Sequence, residues 1–176
     1  MKKILAFAGS NNKTSINKEL AIYTASKVND ATYDVADLND YPLPIFSLEE
    51  EEKGFPNSAT AFNNLLSNYD GFVISLAEHN GSFSAVFKNI FDWVSRIDRK
   101  VFKDKPVLLM STSPGGNGGK SVIEVAKNTF PHLGGQVVST FSLPSFYDNF
   151  KEGEINNSEL QGVLDKSVKE FQLVFL

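Results

Sequence analysis

The chain has 176 residues and a formal net charge of −4, from 17 Lys and Arg against 21 Asp and Glu, so it lacks the positive field that would hold a nucleic acid. Its length predicts one domain over residues 1–176, and 41% hydrophobic with 22% charged residues excludes intrinsic disorder. The absence of cysteine excludes disulfides, thiolate metal sites, iron–sulfur clusters and a cysteine nucleophile.

The first half of the chain alternates short apolar runs with helical patterns. The run from Ile4 to Ala8 predicts a strand that Gly9-Ser10 ends, and apolar residues at helical spacing follow from residue 16 to 28. A second strand over 32–37 leads into an extended loop at 41–44, because each proline there fixes its own φ and restrains its predecessor. The next helix presents Phe62, Leu65, Leu66 and Tyr69 on one face.

The second half repeats this alternation. The segment Gly71 to Leu76 is apolar on both faces, as a buried parallel strand must be. After it we predict a loop over 77–82, a helix to 97, a strand over 107–110, a glycine loop over 113–119, a helix to about 130 and a strand over 137–141. A last helix starts at Ser158, where Ser158 to Gln161 has the form of a capping box.

Five short strands alternating with helices predict an α/β fold, a parallel sheet covered by helices on both faces. In such sheets ligands bind beyond the carboxyl ends of the strands. Polar or glycine-rich loops follow the first, third and fourth strands, so we expect these three loops to form one site.

The loop after the first strand offers hydroxyls, amides and one cation at a helix N-terminus, where free N–H groups and the helix dipole favour an anion such as phosphate. The alternative is that Thr14 or Ser15 only caps the helix. The loop resembles the phosphate signature G-S-x-R-x-x-S-x-N of the NADPH-dependent FMN reductase family, with Asn12 in place of the arginine and Lys13 beside it. The resemblance implies phosphate binding by Ser10, Asn12, Lys13, Ser15, Ile16 and Asn17.

The loop after the third strand is similar to the flavin-ring loop of the same family, P-E-Y-N-x-S, which precedes a helix with K-N-x-x-D-W. Ala77 and His79 replace Pro and Tyr, whereas the other motif positions match. The resemblance implies that the ring is held by Ala77, Glu78, His79, Asn80, Gly81 and Ser82. For Glu78 and His79 the alternative is a solvated turn, and for Trp93 it is a core position.

The third loop has two interpretations. Residues 114–121 satisfy the P-loop pattern G-x-x-x-x-G-K-[ST] except at the first position, where Pro114 stands, which would make the protein an NTPase. The loop also resembles the family pattern S-x-S-x-G-x-x-G-G, whose glycines would let the backbone approach the ring and the ribityl chain. That resemblance implies flavin contacts by Ser111, Ser113, Gly115 and Gly116.

The resemblance spans about residues 3–150 and implies a flavodoxin-like three-layer sandwich with sheet order 2-1-3-4-5. It implies an oxidoreductase that binds FMN, takes hydride from NADPH or NADH and reduces a quinone, flavin or other small acceptor. No catalytic side chain is expected, because the flavin performs the chemistry. The alternative is a flavodoxin-like electron carrier that does not turn over NAD(P)H.

The remaining predictions concern surfaces and location. The resemblance implies a homodimer or homotetramer, for which Phe83, Phe87 and Phe91 are interface candidates, with ordinary burial as the alternative. A basic stretch between Arg96 and Lys105 either is a solvated helix end or attracts the phosphates of the dinucleotide. No segment approaches the roughly 20 apolar residues of a membrane span, so we expect a cytoplasmic protein with no membrane or nucleic-acid partner and no metal site.

Overall fold

A five-stranded parallel sheet lies at the centre of the computed structural model, which describes residues 1–176. The sheet contains β1 (Lys2–Gly9), β2 (Ala31–Ala36), β3 (Gly71–Leu76), β6 (Lys105–Thr112) and β7 (Gly135–Leu143), and two hairpins add β4 (Glu78–His79) with β5 (Ser82–Phe83) and β8 (Phe150–Lys151) with β9 (Glu154–Ile155). The helices are α1 (Ile16–Ala25), α2 (Leu48–Glu51), α3 (Asn57–Ser67), α4 (Ala85–Ile97), α5 (Lys120–Thr129), α6 (Phe146–Asn149) and α7 (Ser158–Phe175). The order across the sheet is β2-β1-β3-β6-β7, which confirms the predicted order 2-1-3-4-5.

Each face of the sheet carries its own hydrophobic core, because successive strand side chains point to opposite faces. In β1, Leu5 and Phe7 pack under α3, α4 and α5, whereas Ile4 and Ala6 pack under α1 and α7. All six residues of β3 are buried, as predicted for a central strand covered on both faces. The result is the predicted three-layer arrangement of helix, sheet and helix.

Three local features differ from the sequence prediction. The N-cap of α7 is Asn157 rather than Ser158, since the Asn157 side chain accepts from the N–H groups of Glu159 and Leu160. Residues 77–82, predicted as a loop, contain β4 and the first residue of β5, which pair as a hairpin. The segment between β7 and α7 also holds α6 and the hairpin β8–β9, neither of which has a periodic pattern long enough to predict.

No helix of the structure is both long and apolar enough to cross a bilayer.

Candidate functional site

The carboxyl ends of β1, β3 and β6 open into a cleft of about 380 Å³. The three loops predicted to form one site all contribute to its walls. Of the predicted site residues, those that line it are Ser10, Asn12, Ser15, Ile16, Asn17, Ala77, Glu78, His79 and Ser113. A larger concavity of about 640 Å³ lies along the other end of the edge strand β7 and contains none of the predicted site residues.

Seven predicted residues lie outside the cleft lining: Lys13, Asn80, Gly81, Ser82, Ser111, Gly115 and Gly116. Ser111 is fully buried, and its hydroxyl donates to the carbonyl of Leu76 at 2.6 Å, so it joins two strand ends. Gly115 and Gly116 are exposed, and a Cβ on either would meet no atom within 4 Å. The chain itself therefore does not require glycine at these two positions.

The first loop is shaped by its own amides and hydroxyls. The side-chain oxygen of Asn12 accepts from the N–H and the hydroxyl of Thr14 at 3.0 and 3.2 Å, and the N–H of Asn12 donates to the hydroxyl of Ser10 at 3.1 Å. This is an Asx turn, in which the asparagine replaces a backbone acceptor. Asn12 thus orders the loop with its oxygen and retains its Nδ2 as a neutral donor.

The N-terminus of α1 faces the cleft. Ser15 is the N-cap, because its hydroxyl accepts from the N–H of Lys18 at 3.2 Å. Ser15 therefore has the helix-capping role that was considered as the alternative to phosphate binding. The cap leaves the N–H groups of Ile16 and Asn17 without an acceptor in the protein, and free N–H groups at a helix start attract an anion.

No Lys or Arg side chain lines the cleft. Lys13 is exposed outside it, and Lys18 pairs with Asp37 at 2.6 Å. The hydrogen bond from Lys18 lowers the pKa of Asp37 below its usual range, against the raising effect of burial. An anion in the cleft would therefore be bound by neutral donors and the dipole of α1.

The second loop is a tight hairpin. Asn80 and Gly81 have φ angles of 50° and 78° at its turn, the backbone that an Asn-Gly pair favours. The Glu78 carboxylate accepts from the N–H of Val122 at 2.9 Å, and the Ser84 hydroxyl donates to the carbonyl of Gly9 at 2.7 Å. These two bonds fix the hairpin against α5 and β1, so its backbone edge has a defined position beside the cleft.

The same Glu78 contact argues against the NTPase interpretation. A P-loop uses the N–H groups at the start of its helix for phosphate, but the start of α5 already receives the Glu78 carboxylate. Gly119, the N-cap of α5 at φ 72°, is needed for packing, because a Cβ there would overlap the Ser111 hydroxyl.

The K-N-x-x-D-W motif holds the loop that follows β2. Asn89 donates to the carbonyl of Pro44 at 2.9 Å and accepts from the N–H of Phe46 at 2.9 Å. Trp93 is fully buried and donates to the same Pro44 carbonyl at 2.8 Å. The core interpretation of Trp93 is therefore confirmed.

The basic stretch lies away from the cleft. It spans the end of α4 and the start of β6, about 23 Å from the cleft end of that strand. Three of its cations are paired, Arg96 with Glu51, Lys100 with Asp104 and Lys103 with Asp98. The structure favours the solvated helix end over attraction of a dinucleotide.

Five residues of the lining were not predicted: Asn11, Thr14, Thr112, Pro114 and Tyr147. The first four are neighbours of predicted residues. Tyr147 comes from α6 and belongs to the segment Tyr147-Asp148-Asn149, which resembles the short acidic segment after the fifth strand in the family but to which the sequence assigns no role. No group of three or more His, Asp or Glu side chains is arranged to hold a metal ion.

Comparison with known proteins gives one family. The family model described as NADPH-dependent FMN reductase matches residues 2–148. The chain is 36% identical over 118 residues to a 2-hydroxy-1,4-benzoquinone reductase of Burkholderia sp, a match that covers 66% of this chain and 63% of the relative. It is 32% identical over 119 residues to the quinone reductase of Escherichia coli K12, with the same coverage. The matched segment is thus less than two thirds of these relatives' length.

Solved structures share the fold at lower identity. The flavoenzyme NAD(P)H:(acceptor) oxidoreductase FerB of Paracoccus denitrificans superimposes over 100% of both chains with a TM-score of 0.74 and 23% identity. The structure of RosB with a bound flavin-derived intermediate covers 99% of this chain and 79% of its own, with a TM-score of 0.75 and 12% identity.

Proposed function

Because the chain belongs to the NADPH-dependent FMN reductase family, we propose that it binds FMN without a covalent bond and transfers hydride from NADPH or NADH to a small acceptor. Quinones are the proposed acceptors, since the two sequence relatives described above are named quinone reductases. The observation that carries the proposal is the position of the free N–H groups of Ile16 and Asn17 in the same cleft as the hairpin residues 77–79.

The residues of the cleft fit the two ends of FMN. The N-terminus of α1, with Ser10, Asn12 and Ser15, offers neutral donors and a positive dipole end for the phosphate. The backbone edge of residues 77–79 offers N–H and C=O groups for the polar edge of the ring. The seven predicted residues that do not line the cleft remain proposed flavin contacts from the resemblance alone: Lys13, Asn80, Gly81, Ser82, Ser111, Gly115 and Gly116.

Bound FMN supplies the redox chemistry by accepting hydride and passing electrons on. The chain has the tasks of binding and orientation. The hairpin, fixed by Glu78 and Ser84, would hold the polar edge of the ring in place. No acid or base is assigned.

A turnover assay tests this proposal. Purified protein incubated with FMN and then freed of excess FMN is mixed with NADPH or NADH and a benzoquinone. Oxidation of NAD(P)H that requires both FMN and quinone supports the reductase. Retained FMN with no NAD(P)H oxidation against several acceptors supports the electron-carrier alternative instead.

We also propose that the protein is a cytoplasmic homodimer or homotetramer. The reaction needs the NAD(P)H of the cytoplasm. Phe87 and Phe91 are buried within the protomer and stacked at 4.3 Å, which favours ordinary burial for these two, and only Phe83 is half-buried. Ile45, Leu48 and Phe55 are exposed by 76, 64 and 46% and offer an apolar contact surface. A monomer by light scattering would contradict the assembly.

A further inference from the structure

Tyr147 is a residue of the cleft to which neither the motifs nor the family resemblance assigns a role. It lies on α6, after the edge strand β7, yet it lines the same cleft as residues 10–17. It is 65% exposed, and its hydroxyl has no hydrogen-bond partner in the protein.

The backbone around Tyr147 is firmly held. The N–H groups of Ser145 and Phe146 donate to the carbonyls of Gly115 and Ser113 at 2.9 and 3.0 Å, and Asn149 donates to the carbonyl of Pro144 at 2.9 Å. Phe146 is buried and stacks on Phe150 at 4.9 Å. Ser145 has a φ of 47°, a left-handed backbone that a non-glycine residue keeps only where its surroundings enforce it.

These contacts bring α6 beside the start of α1. Asn17, in the first turn of α1, donates to the carbonyl of Thr112, and Phe146, the first residue of α6, donates to the carbonyl of Ser113. Thr112 and Ser113 are consecutive, with Cα atoms about 3.8 Å apart. The start of α6 and the start of α1 are therefore anchored at the same point of the cleft wall.

Because the cleft lining carries no Lys or Arg, one more neutral hydrogen-bond donor would strengthen the binding of a phosphate there. The one position where the family motif has an arginine is occupied by Asn12 in this chain. A phosphate at the start of α1 is then held by dipoles and neutral hydrogen bonds, each of which is a sizeable share of the total.

We propose that Tyr147 is a specificity-determining residue that donates its phenolic O–H to the phosphate of the bound flavin nucleotide and so favours FMN over riboflavin. This role rests on the proposed function, because it presumes that a flavin occupies the cleft. It replaces part of the anion recognition that an arginine would provide.

Binding of FMN and of riboflavin by the full chain, each measured by quenching of flavin fluorescence, tests the proposal. Tyr147→Phe keeps the ring and removes the hydroxyl, so we expect FMN affinity to fall about five- to tenfold, the effect of one neutral hydrogen bond, with riboflavin affinity unchanged. The matched control is Tyr33→Phe, an exposed tyrosine on β2 without a side-chain hydrogen bond, which should change neither.

Two results would overturn the role proposed for Tyr147 and leave the proposed function intact. If wild-type protein binds FMN and Tyr147→Phe binds it equally well, the hydroxyl does not contact the phosphate. If the variant loses FMN and riboflavin affinity by the same factor, Tyr147 acts on the ring. A wild-type protein that binds neither flavin would instead overturn the proposed function, and the Tyr147 assignment with it.

Discussion

The side chain of Asn17 binds both backbone groups of Thr112: its Nδ2 donates to the carbonyl at 3.1 Å, and its Oδ1 accepts from the N–H at 3.0 Å. The same Oδ1 accepts from the Ser75 hydroxyl at 2.7 Å, and the Asn17 residue is 3% exposed. One asparagine therefore ties the start of α1 to the end of β6, where the third loop of the cleft begins. Its oxygen is fully used, so Asn17 can offer a phosphate only its backbone N–H and one amide hydrogen.

The first prediction concerns this tie. Asn17→Ala should lower the free energy of unfolding by about 2–3 kcal/mol, because it leaves the buried polar groups of Ser75 and Thr112 unpaired. Urea denaturation of the flavin-free protein measures this. Asn128→Ala, which removes an exposed amide on α5, is the matched control and should cost less than about 0.5 kcal/mol. Equal free energies of unfolding for the two variants would show that the hydrogen bonds between Asn17 and Thr112 do not stabilise the fold.

The second prediction concerns the missing arginine. With no Lys or Arg in the cleft lining, FMN affinity should change little between low and high salt, because screening weakens charge pairs most. Asn12→Arg should raise FMN affinity about tenfold at low salt and make it fall with salt, since a guanidinium binds phosphate by charge-assisted bonds.

Asn12→Gln is the matched neutral control for this pair and should not acquire salt dependence. If the FMN affinity of the wild-type protein falls steeply with salt, the phosphate is not bound by neutral donors alone. Lys13 would then be the candidate for a charged contact with the phosphate.

The third prediction concerns the contact that fixes the hairpin. Glu78→Ala removes the acceptor for the N–H of Val122 at the start of α5 and should lower the free energy of unfolding by about 1 kcal/mol, the usual value of a capping interaction. Glu78→Gln keeps an acceptor oxygen and should restore most of this loss. Thermal unfolding of the two variants checks it, and a glutamine variant as unstable as the alanine variant would contradict a capping role.

The fourth prediction concerns pH. The Lys18 hydrogen bond lowers the pKa of Asp37 in the folded state, so the pair stabilises the protein at pH values above the unfolded pKa of about 3.9. This contribution is lost as the pH falls from about 5 through the lower folded pKa. Asp37→Asn should therefore reduce the drop in stability on acidification over this window, measured by urea denaturation at several pH values.

The matched control for the ion pair is Asp165→Asn on α7, whose carboxylate forms no ion pair. An Asp37→Asn variant with the same acid dependence as wild type would show that the Lys18 pair is not the cause.

Much of the fold could be predicted because its signals are local. The strand Gly71–Leu76 was predicted to the residue, since a mostly apolar run of only six residues beginning at a glycine is typical of a buried strand. The hairpin after it was missed although Asn80-Gly81 is a strong turn signal, because strands of two residues have no periodicity to read.

The parts of the site that could not be predicted depend on contacts between residues that are far apart in the sequence. Asn17 belongs to the phosphate motif, but its partner Thr112 is 95 positions away, so the motif does not reveal that the amide is used inside the protein. Tyr147 reaches the cleft only because the backbone before it is bonded to Ser113 and Gly115 across two strand ends. Such contacts follow from the folded sheet and cannot be predicted from the order of residues along the chain.

Anaerobic reduction of the FMN-loaded protein tests the central claim most directly. After FMN is added and the excess removed by gel filtration, NADPH or NADH is introduced without oxygen, and the visible absorption of the bound flavin is followed. We predict that the flavin bands survive filtration, bleach on addition of NAD(P)H and return when a benzoquinone is added. A protein that loses FMN on filtration, or that keeps it oxidised in the presence of both NADPH and NADH, would contradict the reductase account.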